Sequence, residues 1–447
     1  MSKKRVLENH QGETDPEPKR QKLELSIGTV SDRNSEMIFN TELIDLNGDC
    51  QEAIFQHLDL VDLLNIAESH VNFLKAAGYM YSRLYKDKTI RINGKRCAMG
   101  VFFKTHTIKT DYIEVNDHHL CSQLLSIFGG HIKNLSINFN NTAPIERFFN
   151  DGVQAQINEF CSSSLVELTI ENCQHFSSEA FMRPFREVRY LSMQNCKLPF
   201  DTDEFYRIFP CLTRLELLKN TAVNPSFIEQ HIPGLEHLAL EVNYKGFTQK
   251  NILTALCFNQ QLSRLYLMSH VNTELLHSIN ELIPNLQHLQ LVILFGQFTG
   301  DKLINFKHVQ KVKLTTDCDP FIDIPMKFDQ LKELDIVANG GYEDGFINFI
   351  IRNKHLTKLS ITAPSWNEIE LSDSDVTTLG QELNLTELTF QRCYITDNVA
   401  IDLMNDCKVL RKLQFDLMEP SEELNLNIKH NDWNVINVSG TVQCERR

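Results

Sequence analysis

Residues 212–243 read LTRLELLKNTAVNPSFIEQHIPGLEHLALEVN, and this stretch decides the fold because it contains one short pattern twice. Each copy, LTRLEL from Leu212 and LEHLAL from Leu235, has apolar residues at the first, fourth and sixth positions of a six-residue frame. The alternation at the end of the frame is typical of a short strand with one buried face. A single strand of this kind cannot cover that face, so the pattern predicts an array of stacked copies.

The same frame recurs over most of the chain. Its other strong copies are IKNLSI from Ile132, LVELTI from Leu165, VRYLSM from Val188, LSRLYL from Leu262, LQHLQL from Leu286, VQKVKL from Val309, LKELDI from Leu331, LTKLSI from Leu356, LTELTF from Leu385 and LRKLQF from Leu410. Successive copies start 22 to 33 residues apart. Weaker copies, TDYIEV from Thr110 and WNVINV from Trp433, predict that the array closes near Val438. Chance alternation in an ordinary α/β domain would not keep so constant a period.

Asparagine or cysteine follows many of the frames, three residues after the last apolar position of the strand. These residues are Asn140, Cys173, Cys196, Asn220, Asn243, Asn339 and Cys393. They resemble the polar ladder of leucine-rich repeats, in which the side chain bonds the turning backbone. Between the frames lie amphipathic helical patterns, such as NTELLHSINELIPNL at 272–286. We therefore predict an α/β fold: a curved leucine-rich-repeat solenoid of about 12–14 short parallel strands with outer helices.

Four segments follow from these patterns. We expect a disordered tail at 1–40, a small all-α domain at 41–88, the repeats at 89–440 and a C-terminal tail at 441–447. The first tail is rich in charged residues and poor in apolar ones. Its basic clusters, Lys3–Arg5 and Lys19–Lys22, resemble a bipartite nuclear import signal; the alternative is a solvated tail. No secretory signal is apparent, so we expect an intracellular protein, cytoplasmic, nuclear or both.

Composition argues against several classes of function. The formal net charge of -14 disfavours binding to nucleic acid or to an anionic membrane surface, since both require a basic surface. No apolar run reaches the length of a membrane span. No C-x-x-C pair, G-x-S-x-G, phosphate loop or H-E-x-x-H motif occurs. We therefore expect no catalytic residues, no metal site and no cofactor.

The segment 42–92 does not fit the strand frame and has the period of short helices, with more apolar residues than three helices can cover. It resembles an F-box. The residues that carry the resemblance are Leu46, Ile54-Phe55, Leu58, Asp62-Leu63-Leu64 and Ala67. The departures from the F-box pattern are Asn47 in place of Pro, Phe73 in place of Trp and Ser69-His70 in place of Val-Cys.

The resemblance to the F-box/leucine-rich-repeat family implies a function. The F-box helices would bind a Skp-type adaptor that carries a cullin, and the repeats would hold a protein substrate for ubiquitination by this SCF-type ligase. Carried over by position, the adaptor contacts would be Leu46, Ile54, Phe55, Leu58, Leu63 and Leu64. The alternative is a protein-binding scaffold without a ligase, in which the helices serve only as an N-terminal cap of the array.

Frame positions three, five and seven face the concave side of the predicted array. In its middle they bring apolar side chains inside a basic rim, which is typical of the centre of a protein interface. The residues are Arg214, Leu218, Arg264, Tyr266, Met268, His288, Val292, Lys311 and Lys313. The rim suggests an acidic or phosphorylated protein ligand. Ordinary surface scatter, or cover by a loop, would give the same pattern.

Overall fold

The computed structural model describes residues 43–93, 106–108, 111–115, 118–139, 146–174, 181–198, 202–221, 224–241, 247–298, 303–316, 324–338, 344–363, 369–370, 372–416, 433–438 and 441–446. The chain divides into two compact units, Met1–Leu46 and Asn47–Arg447. In the first unit the structure describes only residues 43–46, with a 3₁₀ turn at Leu43–Asp45. The expected tail at 1–40 and its basic clusters lie outside the described residues.

The second unit alternates strands with helices. Its helices are α1 Gly48–Phe55, α2 Leu60–Ser69, α3 Val71–Tyr85, α4 His118–Phe128, α5 Glu146–Cys161, α6 Thr202–Ile208, α7 Gln249–Phe258, α8 Thr273–Leu282, α9 Asp344–Ile351, α10 Asp373–Glu382 and α11 Asp397–Asp406. Its strands are β1 Thr89–Asn93, β2 His106–Ile108, β3 Tyr112–Val115, β4 Asn134–Asn138, β5 Glu167–Glu171, β6 Tyr190–Gln194, β7 Arg214–Leu218, β8 His237–Glu241, β9 Arg264–Asn272, β10 His288–Gln297, β11 Ile304–Phe306, β12 Lys311–Thr316, β13 Met326–Phe328, β14 Glu333–Ala338, β15 Lys358–Thr362, β16 Ile369–Glu370, β17 Glu387–Gln391, β18 Cys393–Tyr394, β19 Lys412–Asp416, β20 Trp433–Val438 and β21 Thr441–Arg446.

One 17-stranded sheet runs through the whole unit. From β4 onward each strand pairs in parallel with the strand of the next frame, in the order β4, β5, β6, β7, β8, β9, β10, β12, β14, β15, β17 and β19. In β7, for example, the apolar frame positions Leu215 and Leu217 are buried, and Glu216 between them is partly exposed. In β6 and β8 the residue between the apolar positions, Ser192 or Ala239, is buried as well. The chain is a leucine-rich-repeat solenoid, as the frames predict.

The N-terminal end of the sheet corrects one expectation. Residues 89–92 belong to the stretch that has helical character in the sequence, yet Thr89–Asn93 forms β1. This strand lies between β3 and β4 and is parallel to both, and β2 pairs antiparallel with β3. Ile90 and Ile92 are buried, so the short alternation T-I-R-I-N behaves as one more frame.

The C-terminal end corrects two more expectations. The copy at Trp433–Val438 forms β20, but it pairs antiparallel with β21 and is not a further parallel repeat. The expected tail at 441–447 is wrong, because Thr441–Arg446 forms β21 and pairs antiparallel with β19. Val442 and Cys444 are buried against the array. A hairpin thus covers the end of the sheet and satisfies its backbone groups, which an uncovered last strand would leave unpaired.

The polar ladder is present at Cys196, Asn220 and Cys393. The fourth described position, Cys173, is buried, and its sulfur accepts from the Gln154 amide at 3.8 Å. Asn220 accepts a hydrogen bond from the Cys196 backbone N–H at 2.8 Å, and its amide donates to the Met193 carbonyl at 2.8 Å. The Cys196 thiol lies 3.2 Å from the Gln194 carbonyl, and burial raises the pKa of this thiol to about 12. The Cys393 thiol makes the equivalent contact, at 3.3 Å, with the Gln391 carbonyl at the end of β17. Asn140, Asn243 and Asn339 lie outside the described residues.

Three helices precede the array, as the sequence predicts, and side-chain caps fix where they begin. The Asn47 side chain accepts from the Cys50 N–H, Asp59 from the Asp62 N–H, and His70 from the Asn72 N–H. Each cap satisfies one of the backbone donors left free at a helix start. Asn47, where the F-box pattern has Pro, thus has a local structural role.

The helices α2 and α3 pack on the first helix of the array. The Tyr81 ring of α3 stacks on Phe128 of α4 with ring centroids 4.5 Å apart. The Ser82 hydroxyl bonds the His131 ring at 2.8 Å, and Gln123 donates to Glu68 at 2.8 Å. Since Tyr81 and Phe128 are fully buried, α3 and the array share one core.

We expect Gly129→Ala to destabilise the packing of the turn after α4 against α5 by about 1–3 kcal/mol through overpacking. A Cβ at Gly129 would lie 2.7 Å from the Phe160 Cβ and 3.0 Å from the Phe160 carbonyl oxygen. Gly130 is the matched control, because a Cβ there meets nothing within 4 Å. The measurement is the urea denaturation midpoint of the two variants. Equal midpoints would contradict the close approach.

Candidate functional site

The exposed face of the parallel sheet, called the concave face here, carries aligned rows of side chains. At frame position three, strand pairing aligns one row, which we call the basic row: Arg214, His237, Arg264, His288 and Lys311 on β7, β8, β9, β10 and β12. Five neighbouring strands thus present a basic or imidazole side chain at the same level. Neighbouring strands lie about 4.8 Å apart, so the row is about 19 Å long.

The other residues expected in this patch lie on the same strands. Tyr266 and Lys313 occupy frame position five. Leu218, Met268 and Val292 occupy position seven and are called the apolar row here. Met268 and Val292 are direct neighbours, whereas Glu241 of β8 stands at the same position between Leu218 and Met268. The three side chains of the apolar row are half-buried, so each keeps part of its apolar surface in solvent. The structure thus brings all nine expected residues onto the four strands β7, β9, β10 and β12.

Acidic neighbours pair with three of the expected basic residues. The Arg214 Nε donates to Glu216 at 3.0 Å, the Lys311 ammonium lies 2.7 Å from Glu333, and the Lys313 ammonium lies 3.0 Å from Asp335. The basic rim is therefore less positive than the basic residues alone suggest. The two lysine pairs are exposed, and such pairs contribute only about 0–1 kcal/mol, so a ligand can exchange for them at little cost. Glu216 is largely buried and also accepts from the Tyr190 hydroxyl, so Arg214 is less available.

Arg264 differs from these three residues. In the part of the chain that the structure describes, its guanidinium has no ion-pair or hydrogen-bond partner, and the side chain is exposed. It lies between His237 and His288 in the basic row. Five guanidinium donors at the middle of the row therefore remain available for an anionic group.

His237 belongs to this site, although the sequence reasoning did not include it. Burial, together with Arg214 and Arg264, lowers its pKa to about 4, against a smaller opposing effect of Glu216. Burial, Arg264 and Lys311 likewise lower the pKa of His288. Both rings are therefore neutral at neutral pH. Because their charged neighbours on balance lower both pKa values, the electrostatic potential at the two rings is positive despite the acidic partners. The sequence could have identified His237, because this residue occupies position three of the LEHLAL frame, as Arg214 and Arg264 do in the neighbouring frames.

Strands β9 and β10 extend beyond the others at the apolar row. They contain 9 and 10 residues, where the strands before them in the sheet have 3 to 5. Their pairing continues from Met268–Val292 to Asn272–Gln297 with a bulge between Ile293 and Phe295. The extension consists of residues 269–272 of β9 and 293–297 of β10. It forms a two-stranded projection beside Met268 and Val292, called the ledge here. The patch is thus distinguished by its backbone as well as by its side chains.

A second feature of the concave face lies at its N-terminal end. A polar cavity of about 620 Å³ opens over β3, β1, β4 and β5, and its lining includes Arg91, Glu114, Glu167 and Glu171. The Arg91 guanidinium lies 3.8 Å from the Tyr112 ring centroid. The charge on the concave face therefore changes along the array, from acidic side chains here to the basic row in the middle.

The helical segment places its six expected contact residues in different environments. Phe55, Leu63 and Leu64 are fully buried, and Phe55 packs edge-on against Phe73 with centroids 5.9 Å apart. The expectation that these three side chains form a contact surface is therefore corrected: they are the core of the three helices. Ile54 is 40% exposed, and Leu58 is half-buried. Leu46 belongs to the other compact unit.

The helical segment nevertheless leaves apolar side chains in solvent, as its composition predicts. Of the ten large apolar side chains exposed among the described residues, five lie on α1 and α3. They are Ile54, Val71, Leu74, Tyr79 and Leu84, and Val71 is 75% exposed. Two helices of 8 and 15 residues thus hold half of the exposed large apolar side chains. A concentration of this kind is typical of interaction surfaces.

The described residues contain neither a membrane-spanning helix nor a cluster of metal ligands. No helix there combines the length and the apolar character that crossing a bilayer requires. No group of three or more His, Cys, Asp or Glu in those residues is arranged to hold a metal ion.

No protein-family model matches the sequence, and no curated protein matches it either. Solved structures do resemble the fold at low identity. The structure of human 5T4 is 18% identical over 49% of this chain and 76% of that chain, with a TM-score of 0.31. In the yeast Rad7–Elc1 complex, the match is 14% identical and covers 76% of this chain and 87% of that chain, with a TM-score of 0.43. The TLR13–ssRNA13 complex matches at 13% identity over 75% of this chain and 59% of that chain, with a TM-score of 0.32.

Proposed function

We propose that this protein is the substrate-recognition subunit of an SCF-type ubiquitin ligase. The helices α1–α3 bind a Skp-type adaptor, and through it a cullin, while the concave face binds the protein to be ubiquitinated. In this role the chain is not an enzyme and needs no cofactor, because the ligase partners supply the chemistry. The proposed setting is inside the cell. Whether the basic clusters at Lys3–Arg5 and Lys19–Lys22 direct nuclear import is a separate hypothesis.

The exposed apolar side chains of α1 and α3 carry the proposal. Ile54 combines two properties, because it occupies a position of the F-box resemblance and is exposed. Val71 and Leu74 add apolar surface one helical turn apart on α3. Apolar side chains of this kind on helices suit a groove or a helix of a partner. The fully buried Phe55, Leu63 and Leu64 hold the helices in place beneath this surface and do not themselves form it.

A scaffold without a ligase is the second candidate, and one observation favours it. The core shared by Tyr81 of α3 and Phe128 of α4 is what an N-terminal cap of the array would show. Repeat arrays require capping elements at their ends. A cap, however, does not require Ile54, Val71 and Leu74 to remain exposed, so the two candidates differ in what this surface binds.

Adaptor binding separates the two candidates. We expect Ile54→Asp to weaken binding of a purified Skp-type adaptor about thirtyfold, because about 2 kcal/mol is typical for a central apolar contact. Isothermal titration calorimetry with the full chain measures this affinity. Met182→Asp is the matched control, since Met182 is a 74% exposed apolar side chain outside the helices. The variants should melt at the temperature of the wild type, because both sites are exposed.

Two outcomes would count against the ligase. If the wild-type chain does not bind the adaptor, the helices are a cap and the scaffold candidate stands. If Ile54→Asp and wild type bind equally, the adaptor uses another surface, and the assignment of Ile54 is wrong.

A further inference from the structure

The basic row and the apolar row lie on the same strands, and their separation limits what can bind across both. Arg264 and Met268 are four residues apart on β9, as are His288 and Val292 on β10. At about 3.3 Å per residue the two rows are about 13 Å apart. A ligand that contacts both rows must therefore be about that wide.

An α-helix with its side chains is about 10–12 Å in diameter, which matches this separation, whereas a single extended segment is narrower. A helix lying across the strands would follow both rows at once. The basic row is about 19 Å long, which corresponds to about 13 residues of helix. Shape therefore favours a helix of three to four turns.

Charge selects the chemistry of that helix. Arg264 has no partner among the described residues. Lys311 at one end of the row holds an exposed ion pair with Glu333, whereas Arg214 at the other end is paired with Glu216, whose side chain is largely buried. Acidic side chains on one edge of the helix would pair with Arg264 and draw Lys311 to themselves. On the other edge, apolar side chains would cover Met268 and Val292, and the middle of the helix would lie over Tyr266.

We infer that the concave face over β7–β12 binds an amphipathic helix of a partner protein, with acidic residues along one edge and apolar residues along the other. The inference rests on that part of the proposed function which assigns protein binding to the concave face. It does not depend on the ligase. The ledge formed by the ends of β9 and β10 lies beside the apolar row, where it would limit lateral movement of the helix.

The test is a selection that contains no adaptor, so its failure is separate from failure of the adaptor experiment. Random 14-residue peptides displayed on phage are selected against the full-length chain and then counter-selected with Arg264→Glu. The expected survivors carry Asp or Glu and large apolar residues at spacings of three and four. Representative peptides are then synthesised, and their affinities for the chain are measured by fluorescence polarisation.

Single substitutions should then separate the two rows. Arg264→Ala and Met268→Asp are each expected to weaken a selected peptide about tenfold. The expected effect of Arg264→Ala becomes smaller at high salt, because screening weakens exposed charge pairs, while that of Met268→Asp persists. Lys412→Glu is the matched control: Lys412 occupies the same frame position on β19, outside the basic row, so it should change affinity less than twofold.

Several results would overturn the inference. Survivors without acidic residues, survivors with apolar residues at a spacing of two, and a library with no survivors each contradict a bound acidic helix. Equal binding of the selected pool to wild type and to Arg264→Glu, measured before the counter-selection, contradicts the assigned position. A proline-interrupted phosphoserine peptide is measured in parallel; if it binds and no acidic helical peptide does, the occupant is an extended phosphorylated segment.

Discussion

Phe55→Ala is expected to destabilise the three N-terminal helices by about 3–5 kcal/mol, the usual cost of removing a buried phenylalanine ring. Phe55 is fully buried and packs against Phe73, so truncation would leave a cavity at the centre of a small core. Hydrogen exchange measured by mass spectrometry on peptides from 48–85 would report the loss locally. In the remainder of the array, protection should change less, because repeats interact mainly with their neighbours.

Ile54→Ala is the matched control, since Ile54 precedes Phe55 in the same helix but is 40% exposed. We expect it to change stability by less than about 1.5 kcal/mol. The pair also separates a core role from an interface role. If Phe55→Ala left exchange unchanged and weakened adaptor binding, Phe55 would be an interface residue, contrary to its burial here.

Asn259→Ala is expected to cost about 3 kcal/mol or more, because Asn259 is fully buried and joins two repeats. Its side-chain oxygen accepts from the Ile232 N–H at 2.8 Å. Its amide donates to the Gln230 carbonyl at 2.9 Å and to the Ala255 carbonyl at 2.8 Å. Alanine would leave the Ile232 N–H and the Gln230 carbonyl without that partner in the interior, and each such loss costs about 1–3 kcal/mol. The Ala255 carbonyl would keep its bond from the backbone N–H of residue 259.

Urea denaturation followed by circular dichroism would measure this loss. Gln260→Ala is the control, because Gln260 is the exposed next residue and its side chain donates to the nearby Cys257 carbonyl. A midpoint for Asn259→Ala that equals the control would contradict the bridging role. Asn353 is built in the same way: it accepts from the Phe328 N–H and donates to the Phe349 carbonyl. We expect a similar loss there.

The repeats could be predicted from the sequence because each frame, taken alone, already indicates a short strand with one buried face. Alternation in LTRLEL or LTKLSI encodes one buried strand face, and the period then encodes stacking. The ladder residues were predictable for the same reason, since Asn220 and Cys393 stand at a fixed distance from their frames.

The ends of the array were not predictable in this way. The order of strands at the N-terminal end departs from the chain order, because β1 enters the sheet between β3 and β4. At the C-terminal end, WNVINV has the alternation of a repeat strand but pairs antiparallel. Alternation gives the buried face of a strand and not its direction or its neighbour.

For the surface of α1 and α3 and for the concave face, the sequence indicated which residue types are present. It did not indicate which of those side chains are buried or paired. The sequence identified an excess of apolar residues at 42–92, but it could not tell Phe55, which is buried, from Val71, which is exposed. That distinction depends on how three helices pack on one another and on α4. Similarly, the ion pairs that neutralise Lys311 and Lys313 come from Glu333 and Asp335 on the next strand, at the same register.

The shared core of α3 and α4 has a geometric consequence. Because Tyr81 stacks on Phe128 and Ser82 bonds His131, the exposed side chains of α3 move together with the first strands of the array. From β1 to β9 there are six strand spacings, or about 29 Å. The distance between two molecules bound at Leu74 and at Arg264 would thus be fixed by the number of strands between the two sites. Each repeat inserted between the sites would lengthen that distance by about 4.8 Å without altering either binding surface.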